Sequence, residues 1–428
     1  MDYKEALAKL HSLESFGVKP GVERIIELTA VLGYPQKKLP RTIHITGTNG
    51  KGSVSAMAES ILRAAGQKTG LFTSPHLHSH TERYRVDNIP IPEADFARLF
   101  GRVAEGIADM VSRGWESPTE FEAVTALALL WFAENQVDTA IIETGMGGRY
   151  DSTNIINAPI SVVTNVGLDH MAYLGDTEAE IAANKADIIK SGAVAITAAE
   201  GAALDVIRQT AAERGTKLLV SGEDFSYCES ELSATGGRFD LRTSTGIYKD
   251  LYVALCGRHQ LGNAALAVLA AELAGADEVA IRRGLADVCW PARLETISRK
   301  PLILLDGAHN YPGMCTLKDA LDSFWPEKRI VCVLAMLADK EKERCLEMLL
   351  PRIDKLIVTR SPYISRSADW RMPYEYAISH GITAFAEEKV ADALALARAV
   401  MTEDNMLLVC GSLYMVAEAR DILVEEKQ

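Results

Sequence analysis

From residue 42 onward the chain alternates short β-branched runs with longer helical patterns. That alternation admits little besides a parallel α/β architecture, because parallel neighbours need a long crossover between them. Strands are expected at 42–46, 139–143 and 160–166, with helices at about 52–65, 120–135 and 177–190. Residues 225–255 read differently. Gly236-Gly237 and the alternating segments at 238–243 and 247–255 predict antiparallel hairpin strands at the end of a first domain. An Ala-rich helix follows at 263–274. Trp290-Pro291-Ala292 reads as a linker, after which the α/β pattern restarts with strands expected at 302–306, 329–335, 355–359 and 406–410. The expected fold class is α/β: a P-loop-type, mostly parallel sheet domain with an antiparallel hairpin region (1–290), a linker or hinge (291–298) and a smaller C-terminal Rossmann-like α/β domain (299–428).

A chain of 428 residues can bury a core of that size without staples. The formal charge of −13 argues against a nucleic-acid partner, which would need a basic face. Seven cysteines, an odd number with no C-x-x-C pair, read as reduced thiols of a cytoplasmic protein. No signal-like apolar stretch opens the sequence, and no uncharged apolar run reaches the roughly 18 residues a membrane span needs, so no membrane association is expected.

The sharpest local signal is Thr46-Gly47-Thr48-Asn49-Gly50-Lys51-Gly52-Ser53, placed between a strand and a helix. Glycines let backbone N–H groups close around phosphate oxygens, and the helix start adds its positive dipole end. Lys51 is then placed for the β- and γ-phosphates and the Ser53 hydroxyl for Mg²⁺. The run departs from G-x-x-x-x-G-K-[ST]: Ile45 stands where the first glycine would be, and Gly52 separates Lys51 from Ser53. The bland alternative is a tight turn with a surface lysine.

Ligands in open parallel sheets bind beyond the carboxyl ends of the strands. Glu143 closes one expected strand ahead of Thr144-Gly145-Met146-Gly147-Gly148-Arg149, and Gly167-Leu168-Asp169-His170 follows another. Glu143 alone could be a solvated strand end, and His170 alone a core or capping histidine. Beside a phosphate loop they become candidate Mg²⁺ ligands, although imidazole is an unusual ligand for so hard a cation. Spacing alone makes Lys185 an ordinary helical lysine.

Taken together, these segments resemble the folylpolyglutamate synthase/dihydrofolate synthase family of the Mur ligase superfamily. The likeness runs over nearly the whole chain and includes TGTNGKGS at 46–53, Thr73-Ser74-Pro75-His76-Leu77, Glu82-Arg83, ETGMGGRYDSTN at 143–154, Leu168-Asp169-His170, Gly257-Arg258-His259-Gln260 and Asp306-Gly307-Ala308-His309-Asn310. The resemblance implies an ATP-dependent ligase that activates the carboxylate of a pteroate or folate as an acyl phosphate and joins it to L-glutamate. It implies that Thr48, Asn49, Gly50, Lys51, Gly52 and Ser53 hold the ATP phosphates, while Asn263, Arg293, Asp306 and His309 contact the nucleotide from the second domain and linker. Ser53, Ser74, Glu143, His170 and a carbamylated Lys185 would hold Mg²⁺, with two ions expected and K⁺ a further candidate cofactor. Lys51, Glu143, His170 and Lys185 would carry the catalysis. Thr119, Phe121 and Asp151 would lie near the pterin. A hinge near Trp290 and a monomeric state complete the expectation. The alternatives are another Mur-type amide ligase acting on a cell-wall precursor and a P-loop NTPase without an acceptor.

Three positions depart from the family pattern: Ala292 stands for a usual Gly, Asn184-Lys185-Ala186-Asp187 for Glu-Lys-Ala-Gly, and Asp87-Asn88 for a usual Asn-Gly turn.

Overall fold

A computed structural model describes residues 1–13, 19–338, 340–363 and 367–425. The chain forms two compact units: Met1–Ser230 with Arg238–Ala254 and Gln260–Val288, and Glu231–Gly237 with Leu255–His259 and Cys289–Gln428.

The first unit is built on eight strands: β1 (Thr42–Thr46), β2 (Thr69–Phe72), β3 (Tyr84–Val86), β4 (Ile89–Pro90), β5 (Thr139–Glu143), β6 (Ile160–Val163), β7 (Val194–Thr197) and β8 (Lys217–Val220). They lie in the order β4-β3-β2-β5-β1-β6-β7-β8. The six strands from β2 to β8 in that order are parallel, and β3 and β4 add an antiparallel edge. All five residues of β1 and of β5 are buried, as expected for strands covered on both faces. From β1 the chain moves to β2 on one side of the sheet, and from β6 to β7 on the other. The reversal at β1 and β6 makes the crevice in which open α/β sheets bind ligands.

Local chemistry accounts for the flanking elements. Helix Glu120–Glu134 opens on a capping box between Thr119 and Glu122, and helix Glu178–Ala186 on one between Thr177 and Glu180. The β3–β4 connection is two residues long, and both take left-handed φ, Asp87 at 50° and Asn88 at 63°. Asp and Asn tolerate this region better than other non-glycine residues, so the Asp-Asn pair makes the mirror-image turn that Asn-Gly usually makes. Packed against the sheet are Phe72, Ala140 and Ile142 with Phe96, Phe100, Leu127 and Phe132 from the helices. Strands β9 (Ser226–Ser233), β10 (Gly236–Arg242) and β11 (Ile247–Val253) form a three-stranded sheet in the order β11-β10-β9, joined by short turns that dictate antiparallel hairpins.

The second unit has β12 (Glu295–Arg299), β13 (Leu302–Leu305), β14 (Arg329–Leu334), β15 (Ile353–Thr359), β16 (Thr383–Glu387) and β17 (Asn405–Cys410) in the order β12-β13-β17-β14-β15-β16. Only β12 runs antiparallel to its neighbour. β12 begins inside the stretch 291–298 expected as linker, so residues 295–298 are sheet. The preceding residues are pinned as well: Ala292 N donates to Glu295 Oε2 at 2.9 Å, and Arg420 grips both Glu295 oxygens at 2.9–3.0 Å.

Helix Lys51–Ala64 packs on helix Glu278–Asp287, and their approach depends on Gly284. Ser60 Oγ donates to the Gly284 carbonyl at 2.8 Å, and a Cβ at Gly284 would stand 2.5 Å from Ile61 N. Gly284→Ala should therefore destabilise the first unit by about 1–3 kcal/mol, the usual cost of overpacking. Urea unfolding should show a lower midpoint with an unchanged slope.

Candidate active site

The parallel register brings the strand ends together. Ile45 pairs with Glu143, and Thr46 with Val163, so β5, β1 and β6 finish nearly level. The loop leaving β1 turns at Gly50 (φ 85°) straight into helix Lys51–Ala64. Lys51, Gly52 and Ser53 thus occupy the first turn of the helix, whose leading N–H groups lack intrahelical acceptors. Lys51 Nζ folds back onto the loop, donating to Gly47 O at 2.9 Å and Thr48 O at 3.3 Å. Ser53 is buried, with Gln260 Nε2 at 3.4 Å from its hydroxyl.

A second loop, 164–167, clamps the first. Asn165 Oδ1 accepts from Asn49 N at 2.9 Å and its Nδ2 donates to Asn49 O at 3.1 Å, so the side chain imitates a strand neighbour. Thr164 Oγ1 donates to the same carbonyl at 2.6 Å, and Thr48 N to Asn165 O at 3.0 Å. Thr48 Oγ1 exchanges bonds with Gly167, donating to its O at 3.1 Å and accepting from its N at 3.0 Å. Asn263 was expected to reach the nucleotide from the second domain and linker; it lies instead in the first unit, on helix His259–Leu273. Its Oδ1 would be 2.5 Å from a Cβ at Gly50, so it packs directly on the phosphate loop, with its Nδ2 held by Gln260 Oε1 at 3.0 Å. Thr164, Asn165 and Gln260 were absent from the sequence-derived site. Only their neighbourhood in the chain, just past a strand and within Gly257-Arg258-His259-Gln260, could have signalled them.

Glu143 is buried at the end of β5, and Ser74 meets it through the main chain, Ser74 N donating to Glu143 Oε2 at 3.1 Å. Lys185 is 3% exposed, unlike the ordinary helical lysine its spacing suggests. Burial, and then the charge of Lys51, lower its pKa to about 7 against the opposing pull of Asp169 and Asp151. An appreciable share of this amine is therefore free base at neutral pH. The end of its helix is seated on the glycine loop: Asn184 Oδ1 accepts from Gly148 N at 2.9 Å, and a Cβ at Gly148 would lie 2.7 Å from the Asn184 and Lys185 carbonyls. Asn184, a departure from the family pattern, thus satisfies a buried N–H. His170 takes left-handed backbone (φ 52°) at the start of helix Met171–Leu174, with Nε2 3.9 Å from Asp169 Oδ2.

The three residues expected near a pterin also sit in the first unit. Thr119 caps helix Glu120–Glu134, Phe121 lies one residue inside it, and its ring leaves no room for a Cβ on Gly145. Asp151 is buried and accepts from Met146 N at 2.8 Å and from Thr153 N and Oγ1 at 3.0 and 2.5 Å. Burial pushes its pKa up, and these hydrogen bonds oppose that.

In the second unit, Asp306 ends β13 and accepts from Leu294 N and Ala308 N, both at 2.8 Å. Burial raises its pKa, and the Arg293 guanidinium opposes the rise. Arg293 packs over Gly307, and His309 Nδ1 is 2.8 Å from Gly307 O. Ala292 adopts φ 58°, the left-handed conformation for which the family's glycine suits this position.

The Mur ligase middle-domain model matches residues 45–271, and the model described as Mur ligase, glutamate ligase domain matches 292–413. The fold and phosphate loop therefore define an ATP-dependent ligase of the Mur class. The chain is 36% identical to the dihydrofolate synthase/folylpolyglutamate synthase of Bacillus subtilis, over 98% of each chain. It is 35% identical to the folylpolyglutamate synthase of Lacticaseibacillus casei over the full length of both. Among solved structures, E. coli FolC in complex with DHPP and ADP superposes with a TM-score of 0.91 at 31% identity, covering 100% of this chain and 99% of that one. Mycobacterium tuberculosis folylpolyglutamate synthase complexed with ADP gives 0.92 at 31% identity, over 99% of each. The chain belongs to the dihydrofolate synthase/folylpolyglutamate synthase family of Mur ligases. No helix among the described residues is long and apolar enough to cross a membrane.

Asn165→Ala removes two hydrogen bonds from the phosphate loop. ADP and ATP should bind about ten- to thirtyfold more weakly by calorimetry, from roughly 1 kcal/mol per bond, while the melting temperature moves little. Unchanged nucleotide affinity would show that the clamp does not shape the loop.

Proposed function

We propose that this chain joins the carboxylate of a pteroate or folate to the amine of L-glutamate, with ATP as phosphoryl donor. The observation that carries the reading is the open helix start bearing Lys51, with the buried Lys185 near enough for the Lys51 charge to help lower its pKa. The names of the full-length relatives and the nucleotide complexes of the superposable structures support it.

In this reading the substrate carboxylate oxygen attacks the γ-phosphorus, ADP leaves, and the acyl phosphate is then attacked by the glutamate amine with loss of phosphate and a proton. A free carboxylate is a poor acyl donor, and phosphorylation gives it a leaving group. The N–H groups of residues 50–53 cradle the phosphates, and the Lys51 ammonium exchanges Gly47 and Thr48 carbonyls for phosphate oxygens. Arg293, Asp306 and His309 are proposed nucleotide contacts on the second unit, and Thr119, Phe121 and Asp151 ring contacts on the first.

Ser53, Ser74, Glu143, His170 and Lys185 are the residues proposed to hold Mg²⁺. Among the described residues no three His, Cys, Asp or Glu side chains gather into a metal-holding group. A carbamate on Lys185 supplies the missing anionic ligand and removes a buried charge repelled by Lys51, so the donor set fits the ion once the amine has added CO₂. Bound Mg²⁺ supplies neutralisation of the phosphate charge. L-glutamate as acceptor, a monomeric state, K⁺ as a further ion and a cytoplasmic location belong to the same reading.

Incubation with ATP, glutamate and either dihydropteroate or a reduced folate, followed by mass spectrometry, tests the function. A product heavier by one glutamyl residue is expected, absent with Lys51→Ala. ADP formation with no amide from any pteridine acceptor would sink the proposal. Lys185→Ala should lose at least about a hundredfold in rate, the order assigned to losing one charge-stabilising group, and recover part of it in acetate. No recovery with acetate or another small carboxylate, together with an unmodified Lys185 in the mass of the active enzyme, would exclude the carbamate.

A further inference from the structure

We propose that His44 is a positioning residue which, through Thr153, fixes the Asp151 carboxylate for the ring of the pteridine substrate. This rests on the reading that Asp151 serves that ring.

His44 lies at the middle of β1, fully buried, opposite Ile142 of β5 and Ser161 of β6. Its neighbours along the strand, Ile43 and Ile45, are the residues such a position ordinarily takes. An imidazole there is costly, because its Nδ1 is buried without a hydrogen-bond partner among the described residues. Burial, followed by the Lys190 charge, lowers its pKa to about 3, so it is neutral. Among the described residues its ring bonds Thr153, with Nε2 2.8 Å from Oγ1.

The proton count fixes the direction of that bond. Thr153 has a single hydroxyl proton, and Oγ1 lies 2.5 Å from Asp151 Oδ1, so the proton goes to the carboxylate. Thr153 must then accept from His44 Nε2–H, which leaves Nδ1 as the bare nitrogen. Asp151 in turn collects Thr153 N at 3.0 Å, Met146 N at 2.8 Å and the Gly145 N–H. The carboxylate therefore ties the loop after β5 to the turn Ser152–Ile155, and its Gly145 end lies directly under the Phe121 ring. The chain His44–Thr153–Asp151 anchors this loop to one of the two central strands of the sheet. With its four acceptor sites filled, Asp151 acts on a pterin through the Gly145-Met146 backbone that it holds in place beside the Phe121 ring.

Calorimetric titration of ADP and of dihydropteroate or a folate separates positioning from general support. Thr153→Val and His44→Leu each break the relay and should weaken pteridine binding about five- to tenfold, the worth of roughly one net hydrogen bond. ADP affinity should stay within about twofold. His44→Gln, which can place an N–H near the same oxygen, should restore most of the pteridine affinity, and Thr153→Ser should bind like the parent. Thr153→Val keeps the strand intact and decides the matter if His44→Leu does not fold. Normal pteridine affinity in folded Thr153→Val, or an equal loss for pteridine and ADP, overturns the proposal. Asp151→Asn, measured in parallel, separates the two ways of failing. If it weakens pteridine binding and Thr153→Val does not, the relay is wrong and the ring site stands. If neither variant changes pteridine binding, the ring site is wrong and the relay falls with it.

Discussion

The register of β5, β1 and β6 is the constraint on which the first unit's chemistry depends. Pairing Ile45 with Glu143 and Thr46 with Val163 ends three strands at one level. The loops that follow then have little choice but to meet: Thr144 N bonds Ile45 O, Thr164 N bonds Thr46 O, and Thr46 Oγ1 bonds Gly147 O at 2.5 Å. A slip of one residue in either pairing would send alternate side chains to the opposite face and turn Glu143 away from the Ser74 N–H that it meets. Burial of β1 and β5 along their whole length makes such a slip costly, because their side chains pack on both faces of the sheet. Site geometry and core packing are the same interaction seen from two ends.

That edge brings two lysines near each other in a protein whose net charge is −13. Lys185 is almost wholly desolvated, and the nearby Lys51 charge adds to the lowering of its pKa. An isolated buried ammonium would be costly. The two lysines are placed differently. Lys51 lends its protons to the carbonyls of Gly47 and Thr48, which phosphate oxygens can replace. Lys185 gives up part of its charge. Two residues of one type are thus set apart by burial, Lys51 half-buried on its loop and Lys185 desolvated.

Much of this was legible in the sequence, for physical reasons. The phosphate loop announces itself because backbone approach to phosphate demands glycines in a fixed context, and Gly50 with Lys51 behaves as that demand requires. The strand positions follow from β-branched runs bounded by helices. Lys185 could not be read that way: helical spacing says nothing about what covers a side chain, and the glycine loop on which the end of its helix is seated lies far away in sequence. Asn165 and Gln260 were missed because an amide side chain that imitates backbone has no periodic signature. Asn263 was expected to act from the second domain, yet the helix that carries it packs on Gly50 within the first unit. The start of β12 inside the expected linker is invisible in composition, since Glu295 to Arg299 has a mixed polar pattern typical of an edge strand.

The two units solve one problem in the same way. Each carries a glycine-containing loop beyond a parallel strand, and each holds that loop with a buried aspartate rather than with apolar packing. Asp151 gathers N–H groups from the segment after β5, and Asp306 takes Leu294 N and Ala308 N from either side of β12 and β13. Leu294 needs such an anchor because its φ of 47° is unfavourable for a branched apolar side chain. In both cases burial raises the carboxyl pKa while the surrounding donors favour the anion. A carboxylate can orient several backbone dipoles at once, which an apolar side chain cannot.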